Sequence, residues 1–460
     1  MRADGKAAFS EPRNRVTSTR VGATLVSLRA TLEGLVEDLV ARDQFMKWPV
    51  VGRPAGEILL AFGLDKGGCQ SSCKAVSACI NPPHPCSTEN TILFGVFPCQ
   101  TDNCSALVAM AKLYASDLED LRTSGIMVSG VTRPVHLTLL GDYSFTTSFD
   151  GHGGPRCCFL CGYCYALARP SANTINLIPN YADYGTLKDG SRAARIPHAL
   201  AQKAEVAALY ADGPLTTISD PTAVTVTFSI ERRPLMLFAP ENIVPIPLHI
   251  TLGVSPLLLT LRVGPVLFDA GAARAHENTL ELTATLRLEG RACLNIGRRL
   301  AVIFDVLDRY LPSGRAKAYR RACDLWADWL PVLHRAAVFD APERCSFPRQ
   351  AAEFVDLLQS SFEWLSITPK LHISACHAAD WLDRFGSLGL FSEQGLEAWH
   401  AYCNQDTTVF AASSFLESVV RLVQRAAVSR DPGDAAFNRG KRRASTTPNA
   451  PTAGESQISC

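Results

Sequence analysis

The feature that most constrains the fold is a set of short apolar runs in the first third of the chain, interrupted by one helical pattern. The runs are EILLAFGLDKGG at residues 57–68, TILFGVFPC at 91–99 and RPVHLTLLGDY at 133–143, and such runs, bounded by turn residues, are typical of buried strands. Between the last two, SALVAMAKLYASDLEDLRTSG at 105–125 repeats apolar residues at helical spacing and stops at Gly125. The order strand, strand, helix, strand predicts an α/β fold.

Three acidic residues are candidate ligands for catalytic metal ions. Asp65 and Asp142 follow two of the predicted strands, where active sites of open sheets collect, and Glu397 lies in a helical pattern. Mg²⁺ prefers oxygen ligands, and two such ions about 3.5–4 Å apart clamp the attacking and leaving oxygens of a phosphodiester. Taken singly, an aspartate at a strand end is more often a turn former, so the hypothesis depends on the three residues lying together.

The segment PRCCFLCGYC contains four of the 16 cysteines of the chain. Two C-x-x-C pairs are possible, Cys158 with Cys161 or Cys161 with Cys164, and the spacing alone favours neither. A C-x-x-C pair places both sulfurs on one turn, where they can reach the same metal ion. The alternative is that these are unrelated reduced thiols.

A pair of histidines three to five residues apart often forms the second half of a tetrahedral zinc site. His372 and His377, in an H-x4-H arrangement, have that spacing. On a regular helix a five-residue step turns by about 140°, so the two rings would diverge. We therefore expect His372 just before a helix and His377 inside its first turn. The alternative is two buried histidines with no metal to bind.

The remaining stretches give coarser predictions. Residues 1–19 are predicted to be a flexible leader, residues 21–46 an amphipathic helix and residues 223–238 a strand. Residues 290–430 are predicted to be mostly helical. Residues 429–460 are rich in Pro, Ser, Thr and Asn with few apolar residues, which predicts a disordered tail.

Composition and charge argue against several classes of protein. A hydrophobic content of 47% with 19% charged residues predicts a largely globular chain. A formal net charge of +1 argues against a protein that coats nucleic acid generally, although a local basic channel is compatible with it. No apolar signal region and no uncharged apolar run of about 18 residues is evident, which predicts an intracellular protein with no membrane span.

Several motifs occur in an order that a known family shares. GLDKGG contains Asp65 where the relatives have G-G-D-K-G-G, and GDY contains Asp142. A C-x-x-C begins nineteen residues after Asp142, at Cys161, and ends at Cys164. In these motifs the chain resembles the DDE-type RNase H-like recombinases of the Transib transposase and V(D)J recombinase group, and more closely a set of uncharacterised transposon-encoded eukaryotic proteins. The resemblance selects Cys161 and Cys164 over Cys158.

Later motifs extend the resemblance over roughly residues 55–410. PLHITLGV matches an L-H-x-x-x-G segment of the family with His249 and Gly253, and LEGRACLNIGRRL matches a glycine-centred helix start. The sequence leaves open whether His249 belongs to the site or is a buried histidine.

The last block of the family is H-x4-H followed by S-E-x-x-x-E. SEQGLE places Glu397 twenty residues after His377, as the family pattern requires. Glu393 competes with Glu397 because residues four apart face a similar side of a helix. The spacing favours Glu397, with Glu393 as a supporting group. His400 also has a counterpart in the closer relatives.

The resemblance implies an α/β fold with an RNase H-like mixed-sheet core, interrupted by a long, largely helical, zinc-bearing insertion. An Asp-Asp-Glu triad would bind two Mg²⁺ or Mn²⁺ ions, and a structural Zn²⁺ would fix the helix that presents the glutamate. The implied ligands are Asp65, Asp142 and Glu397 for the catalytic ions, and Cys161, Cys164, His372 and His377 for zinc.

The implied domain organisation has five parts. No zinc finger, helix-turn-helix or basic segment is evident before Asp65, so the end-recognition domain of such enzymes is not expected there. The parts are an N-terminal leader and amphipathic helix at 1–50, the first part of the core with both aspartates at 51–155, the zinc-bearing insertion at 156–370, helices with the histidine pair and the glutamate at 371–428, and a disordered tail at 429–460.

The function implied by the resemblance is DNA nicking and strand transfer in the nucleus, with transposon ends and target DNA as partners. Such an enzyme would act as a homodimer and without a membrane, and the basic cluster GKRR at 440–443 is compatible with a nuclear address. A second interpretation is a truncated or domesticated, catalytically silent scaffold that zinc stabilises and that binds DNA or protein. A third is an unrelated helical regulatory protein with coincidental cysteines.

Overall fold

The computed structural model describes residues 16–19, 22–25, 27–45, 54, 56–65, 72–79, 91–98, 105–154, 157, 161–164, 238, 240–255, 257–258, 313–362 and 368–392. Helices and strands are mixed within these ranges, which confirms the predicted α/β class. The predicted strand at 223–238, apart from its last residue, and the predicted tail at 429–460 lie outside them. The five predicted domain boundaries stay predictions.

In the described residues, eight strands form two sheets. They are β1 (Val16–Thr19), β2 (Gly22–Leu25), β3 (Ile58–Asp65), β4 (Ser72–Cys79), β5 (Thr91–Pro98), β6 (Ile126–Val128), β7 (Val131–Arg133) and β8 (Val135–Leu140). The main sheet has the order β1-β2-β5-β4-β3-β8, and β6 and β7 form a separate hairpin. β3 pairs antiparallel with β4 and parallel with β8, so the main sheet is mixed.

Helices cover both sides of this sheet. They are α1 (Leu28–Ala41), α2 (Ser105–Ser124), α3 (Tyr143–Phe149), α4 (Ser313–His334), α5 (Ala341–Ser361), α6 (Pro369–Cys376) and α7 (Ala378–Phe385), with a further helical stretch at 247–255 and short 3-10 helices at Pro240–Asn242 and Gly389–Phe391. None of the helices in the described ranges combines the length and the apolarity that a membrane crossing requires.

The strand β3 is buried on both faces and separates two hydrophobic cores. Ile58, Leu60 and Phe62 pack in a core with α1 and α2. Leu59 and Ala61 alternate with them and pack in a second core with α4, α5 and α7. Each of the five residues is at most 1% exposed. A continuous apolar run is what a strand between two helical layers needs, since successive side chains point to opposite faces.

The second core is built around aromatic rings of α4 and α5. The ring of Trp329 lies 5.1 Å from that of Phe347 and 4.9 Å from that of Phe354, and both tryptophans of this part of α4, Trp326 and Trp329, are fully buried. Burying side chains of this size stabilises the fold by about 1.5–3 kcal/mol each. These ring contacts join α4 to α5 within the second core.

The predicted strands and helix of the N-terminal part are confirmed as β3, β5, β8 and α2, but the prediction for residues 21–46 is partly wrong. Residues 22–25 form β2 instead of helix, and β1 lies inside the predicted leader. The helix α1 begins only at Leu28, because Ser27 caps it: the Ser27 Oγ accepts a hydrogen bond of 3.1 Å from the N–H of Ala30. Two extra antiparallel strands therefore extend one edge of the sheet.

The strand β4 and the hairpin of β6 and β7 have no counterpart in the sequence-based predictions. β4 reads SCKAVSAC, with Val76 as its only large aliphatic residue, and it is fixed by pairing with both β3 and β5. The hairpin turns at Ser129 and Gly130, whose φ angles are 51° and 77°. A two-residue turn with both φ angles positive matches the twist of the strands it joins.

Candidate metal centre

The cysteine half of the predicted zinc site lies in a short irregular segment after α3. Cys161 and Cys164 are each 3% exposed. The backbone N–H of Tyr163 donates a hydrogen bond of 3.3 Å to the Cys161 Sγ, and the Tyr163 hydroxyl donates one of 3.3 Å to the carbonyl of Val244. These bonds fold the segment so that both sulfurs face the same partners. Cys158, the other candidate in this segment, lies outside the described residues.

The histidine half lies on α6 and at its junction with α7. The expectation that His372 precedes the helix is wrong, because α6 begins earlier, after the N-cap residue Thr368. The Thr368 hydroxyl oxygen accepts a hydrogen bond of 3.3 Å from the N–H of Leu371, and Pro369 lies in the first turn. His377 ends α6 and precedes α7 instead of lying in a first turn. Its φ of −114° departs from the helical value of about −63°, and the two rings converge across this irregularity.

The distances between the donor atoms fit a four-coordinate metal ion. The Nε2 atoms of His372 and His377 are 3.3 Å apart, the Cys164 Sγ lies 3.2 Å from the His372 Nε2, and the Cys161 Sγ lies 3.3 Å from the His377 Nε2. All four donor atoms lie within 4.8 Å of one another. Zinc bonds of about 2.0–2.1 Å to nitrogen and 2.3 Å to sulfur separate tetrahedral donors by roughly 3.3–3.8 Å. The cluster could therefore hold a metal ion such as zinc.

Burial and mutual proximity set the protonation of these groups. Burial and the neighbouring Cys164 raise the pKa of the Cys161 thiol well above its ordinary value. Burial also acts to raise the pKa of Cys164, but the hydrogen bond with Cys161 and the charges of His372 and His377 outweigh it and hold that pKa well below the ordinary value. Burial lowers the pKa of His372, yet the thiols of Cys376 and Cys164 raise it to about 10. A bound cation would replace this thiolate–imidazolium pairing with ligand bonds and release protons.

Two supporting residues of the metal centre were missed by the sequence reasoning. The ring of Tyr163 stacks on that of His377, with centroids 4.9 Å apart and planes 19° apart. Cys376 is buried and hydrogen bonds with His372. A signal for Cys376 existed, since it lies four residues after His372 and such pairs meet on one helix face. No local signal marks the stacking of Tyr163, because that contact joins segments far apart in the sequence.

The ends of β3 and β8 bring two predicted catalytic residues to equivalent backbone positions. The parallel register ends with Gly63 paired with Leu140, and Asp65 and Asp142 each lie two residues beyond that pair. Adjacent strands are about 4.8 Å apart, so the last paired residues, Gly63 and Leu140, are neighbours, and each aspartate follows its member of that pair by two residues. Glycine is needed in the pair, because a Cβ atom at Gly63 would lie 2.6 Å from the carbonyl oxygen of Leu140.

Asp142 also has a structural role. Its Oδ1 accepts a hydrogen bond of 2.6 Å from the backbone N–H of Phe145, which makes Asp142 the N-cap of α3. The alternative interpretation of Asp142 as a local structure former therefore describes part of what the residue does.

The other predicted site residues are placed only in part. Glu393, Glu397 and His400 lie outside the described residues, so their assignments stay predictions. His249 lies in the helical stretch at 247–255, is half-buried, and lines a small cavity together with Gly141 and Tyr143, the two neighbours of Asp142 in the sequence. His249 is therefore not fully buried, and its assignment to the site stays a prediction.

Comparison with known proteins adds no family to this picture. No protein-family model matches the chain, and no curated protein is significantly similar to it in sequence.

Proposed function

We propose that the chain is a metal-dependent enzyme that nicks DNA and transfers strands, with an RNase H-like catalytic core and a structural zinc centre. The observation that carries the proposal is the equivalent position of Asp65 and Asp142 at the ends of two adjacent parallel strands. A second support is the order of the elements. β3, β4 and β5 are antiparallel and are followed, after α2, by β8 parallel to β3, which agrees with the core that the resemblance to RNase H-like recombinases implies.

The metal centre supports the same proposal because of the helices that it holds. α6, which carries His372, lies against the aspartate edge: Ile373 lines the same cavity as Gly141, the residue before Asp142. The chain then continues through α7 toward the predicted catalytic Glu397. Zinc bound by the two cysteines and two histidines would therefore tether the approach to Glu397 beside the sheet edge.

The chain's own residues would prepare the site for catalytic metal ions. When bound, a pair of divalent ions activates the attacking oxygen and offsets the charge that develops on the phosphoryl group. The hydrogen bond from the N–H of Phe145 orients the Asp142 carboxylate before any ion arrives. Asp65, from the neighbouring strand, would supply the second carboxylate and Glu397 the third.

The proposal is tested by nicking of supercoiled plasmid DNA in Mg²⁺ or Mn²⁺ with zinc-loaded protein. Asp65→Asn, Asp142→Asn and Glu397→Gln should each lower the nicking rate by at least about 100-fold, because losing a metal ligand removes several kcal/mol of transition-state stabilisation. Asparagine is chosen at position 142 because it caps a helix as well as aspartate does, so the fold is preserved while the charge is lost. Nicking at the wild-type rate by any of the three variants would remove that residue from the triad.

A second candidate function is a catalytically silent scaffold that zinc stabilises and that binds DNA or protein. It is favoured by the N-cap role of Asp142, which gives this carboxylate a structural reason to be present. The scaffold would bind zinc through Cys161 and His377 and would depend on it for folding, but would nick no DNA in either divalent metal. Zinc content and nicking, measured on the same preparation, separate the two functions.

A further inference from the structure

A small cavity lies between the aspartate edge and the metal centre. Its volume is about 20 Å³, close to the space of one water molecule. Gly141 and Tyr143, on either side of Asp142, form one wall, and Tyr163, which lies between the two metal-binding cysteines, forms another. The rest of the lining is Thr146, Val244, Ile246, His249, Ile250, Lys370 and Ile373.

The cationic part of the lining is supplied by a contact between two distant segments. His249 and Gly253 are four residues apart in the helical stretch at 247–255, so they share one face. The side chain of Lys370 packs on Gly253: a Cβ atom there would lie 2.5 Å from the Lys370 Cδ and 2.8 Å from its Cβ. The absent side chain of Gly253 thus makes the room in which Lys370 reaches the cavity next to His249.

The charge and the size of the cavity indicate the chemistry of its ligand. Among the described residues that line it, Lys370 and His249 are the basic side chains. Lysine serves as a point-charge ligand for phosphate oxygens. A space of about one water molecule admits one non-bridging oxygen of a phosphate and leaves the remainder of the group outside. That is the geometry of a polymer backbone passing over the mouth of the cavity, not of an enclosed small molecule.

We propose that Lys370 and His249 bind a backbone phosphate of the nucleic acid on which Asp142 acts. The inference rests on the proposed function and names a substrate contact for it. Because Gly141 and Tyr143 belong to the cavity wall, the bound phosphate would lie within a nucleotide or so of the group held at Asp142. Contacts to phosphates fix the register of a nucleic acid without reading its sequence, so Lys370 is a positioning residue.

The metal centre would support this phosphate site directly. Lys370 lies two residues before the ligand His372 on the same helix, and Tyr163 stacks on His377 while it lines the cavity. Zinc binding would therefore fix two walls of the phosphate site.

The test is the salt dependence of DNA binding by the zinc-loaded full chain, measured by fluorescence anisotropy with a labelled duplex. Lys370→Met keeps the apolar stem over Gly253 and removes the charge. It should weaken binding about tenfold at low salt and reduce the slope of log K against log salt by about 0.9, the value for one phosphate contact. Lys370→Arg should retain the wild-type slope. Gly253→Ala should shift the binding in the direction of Lys370→Met, since the new methyl group displaces the lysine stem.

Lys317→Met is the matched control, because Lys317 is exposed on α4 and its loss changes the net charge equally. An unchanged slope in Lys370→Met, or an equal change in Lys317→Met, overturns the inference. Titration with inorganic phosphate, followed by thermal unfolding, separates the sources of the ligand. If phosphate stabilises the wild type but not Lys370→Met while both bind the duplex equally, the site takes free phosphate and the assignment to nucleic acid is wrong.

The same experiment distinguishes this inference from the proposed nuclease function. A Lys370-dependent slope in a protein that nicks no DNA would support the phosphate contact and contradict the nuclease. Nicking that requires Asp142, together with a slope that is independent of Lys370, would leave the nuclease intact and contradict the phosphate contact.

Discussion

The metal centre and the aspartate pair are two candidate sites that this chain assembles in different ways. The four candidate metal ligands come from segments separated by 208 and 216 positions, and all four are buried. Asp65 ends β3, Asp142 follows β8 by two residues as the N-cap of α3, and the pairing of β3 with β8 sets their backbone positions. A site that is built from buried side chains contributes directly to stability, whereas a site at a strand end can lose its charges while the fold is kept. The comparison therefore predicts that mutations in the two sites affect different properties.

The largest effect on stability should come from the metal centre. Cys161→Ser should abolish zinc binding and lower the free energy of unfolding by several kcal/mol, a part of the ~10–16 kcal/mol with which structural zinc binds small zinc domains. Elemental analysis and urea unfolding measure the two effects, and a chelator should produce the same loss in the wild type. Cys345→Ser is the control, because Cys345 is an exposed cysteine. Retention of zinc and of stability by Cys161→Ser would show that the two sites do not differ in this way.

The next effect should come from the register that holds the aspartates. Gly63→Ala would place a methyl group 2.6 Å from the carbonyl oxygen of Leu140 and force β3 and β8 apart. We expect a loss of about 1–3 kcal/mol in the free energy of unfolding, measured in urea, without loss of zinc. Gly162→Ala is the matched control, because the methyl group there would meet no atom nearer than 3.9 Å. Equal stability of the two variants would contradict the close approach of the strands.

A smaller effect separates the two roles of Asp142. Asp142→Ala removes the N-cap of α3 and should cost about 1 kcal/mol in the free energy of unfolding, while Asp142→Asn should cost much less because asparagine also caps. Both variants should lose nicking activity, since both lose the carboxylate. If Asp142→Asn destabilises the protein as much as Asp142→Ala does, the negative charge of Asp142 contributes to stability. The aspartate pair would then stabilise the fold, as the metal centre is expected to do.

The smallest effect concerns an exposed ion pair, Arg335 with Glu343. Hydrogen bonds from Arg335 and from the backbone N–H of Asp340 lower the pKa of Glu343 below its ordinary value of 4.5. A group whose pKa is depressed in the folded state stabilises the protein above its unfolded pKa and loses that contribution as the pH falls through the folded pKa. At pH values above ~5, Glu343→Gln should therefore cause a small decrease in the urea midpoint, and at pH ~2 it should cause none. If the wild type and Glu343→Gln differ in urea midpoint as much at low pH as at neutral pH, the effect is due to packing and not to charge.

The sequence predicts the elements in which hydrophobic pattern and turn residues agree. β3, β5 and β8 are dense apolar runs, and α2 ends at Gly125 with a positive φ of 64°, so local chemistry decides them. β4 could not be found in this way, because its small residues become a strand through pairing with two neighbours. The start of α6 has a local signal, because Thr368 caps the helix and Pro369 occupies its first turn.

The sequence predicts which residues form the two candidate sites better than it predicts the contacts around them. The resemblance to the recombinase family implies that Cys161, Cys164, His372 and His377 bind one ion, and the structure clusters all four. The contacts that surround them, such as the packing of Lys370 on Gly253, join segments more than a hundred residues apart and leave no local signal. Likewise, the sequence shows that Asp65 and Asp142 follow predicted strands, but it does not show the register in which those two strands pair.

X-ray absorption at the zinc edge of the purified protein tests the central claim most directly, because zinc would hold α6, which carries Lys370 of the proposed phosphate contact and precedes the predicted Glu397 in the chain. The predicted result is a first shell of two sulfur atoms at about 2.3 Å and two nitrogen atoms at about 2.0–2.1 Å, lost in Cys161→Ser. A shell of oxygen and nitrogen atoms alone, unchanged in that variant, would mean that the four residues bind no zinc and would contradict the account.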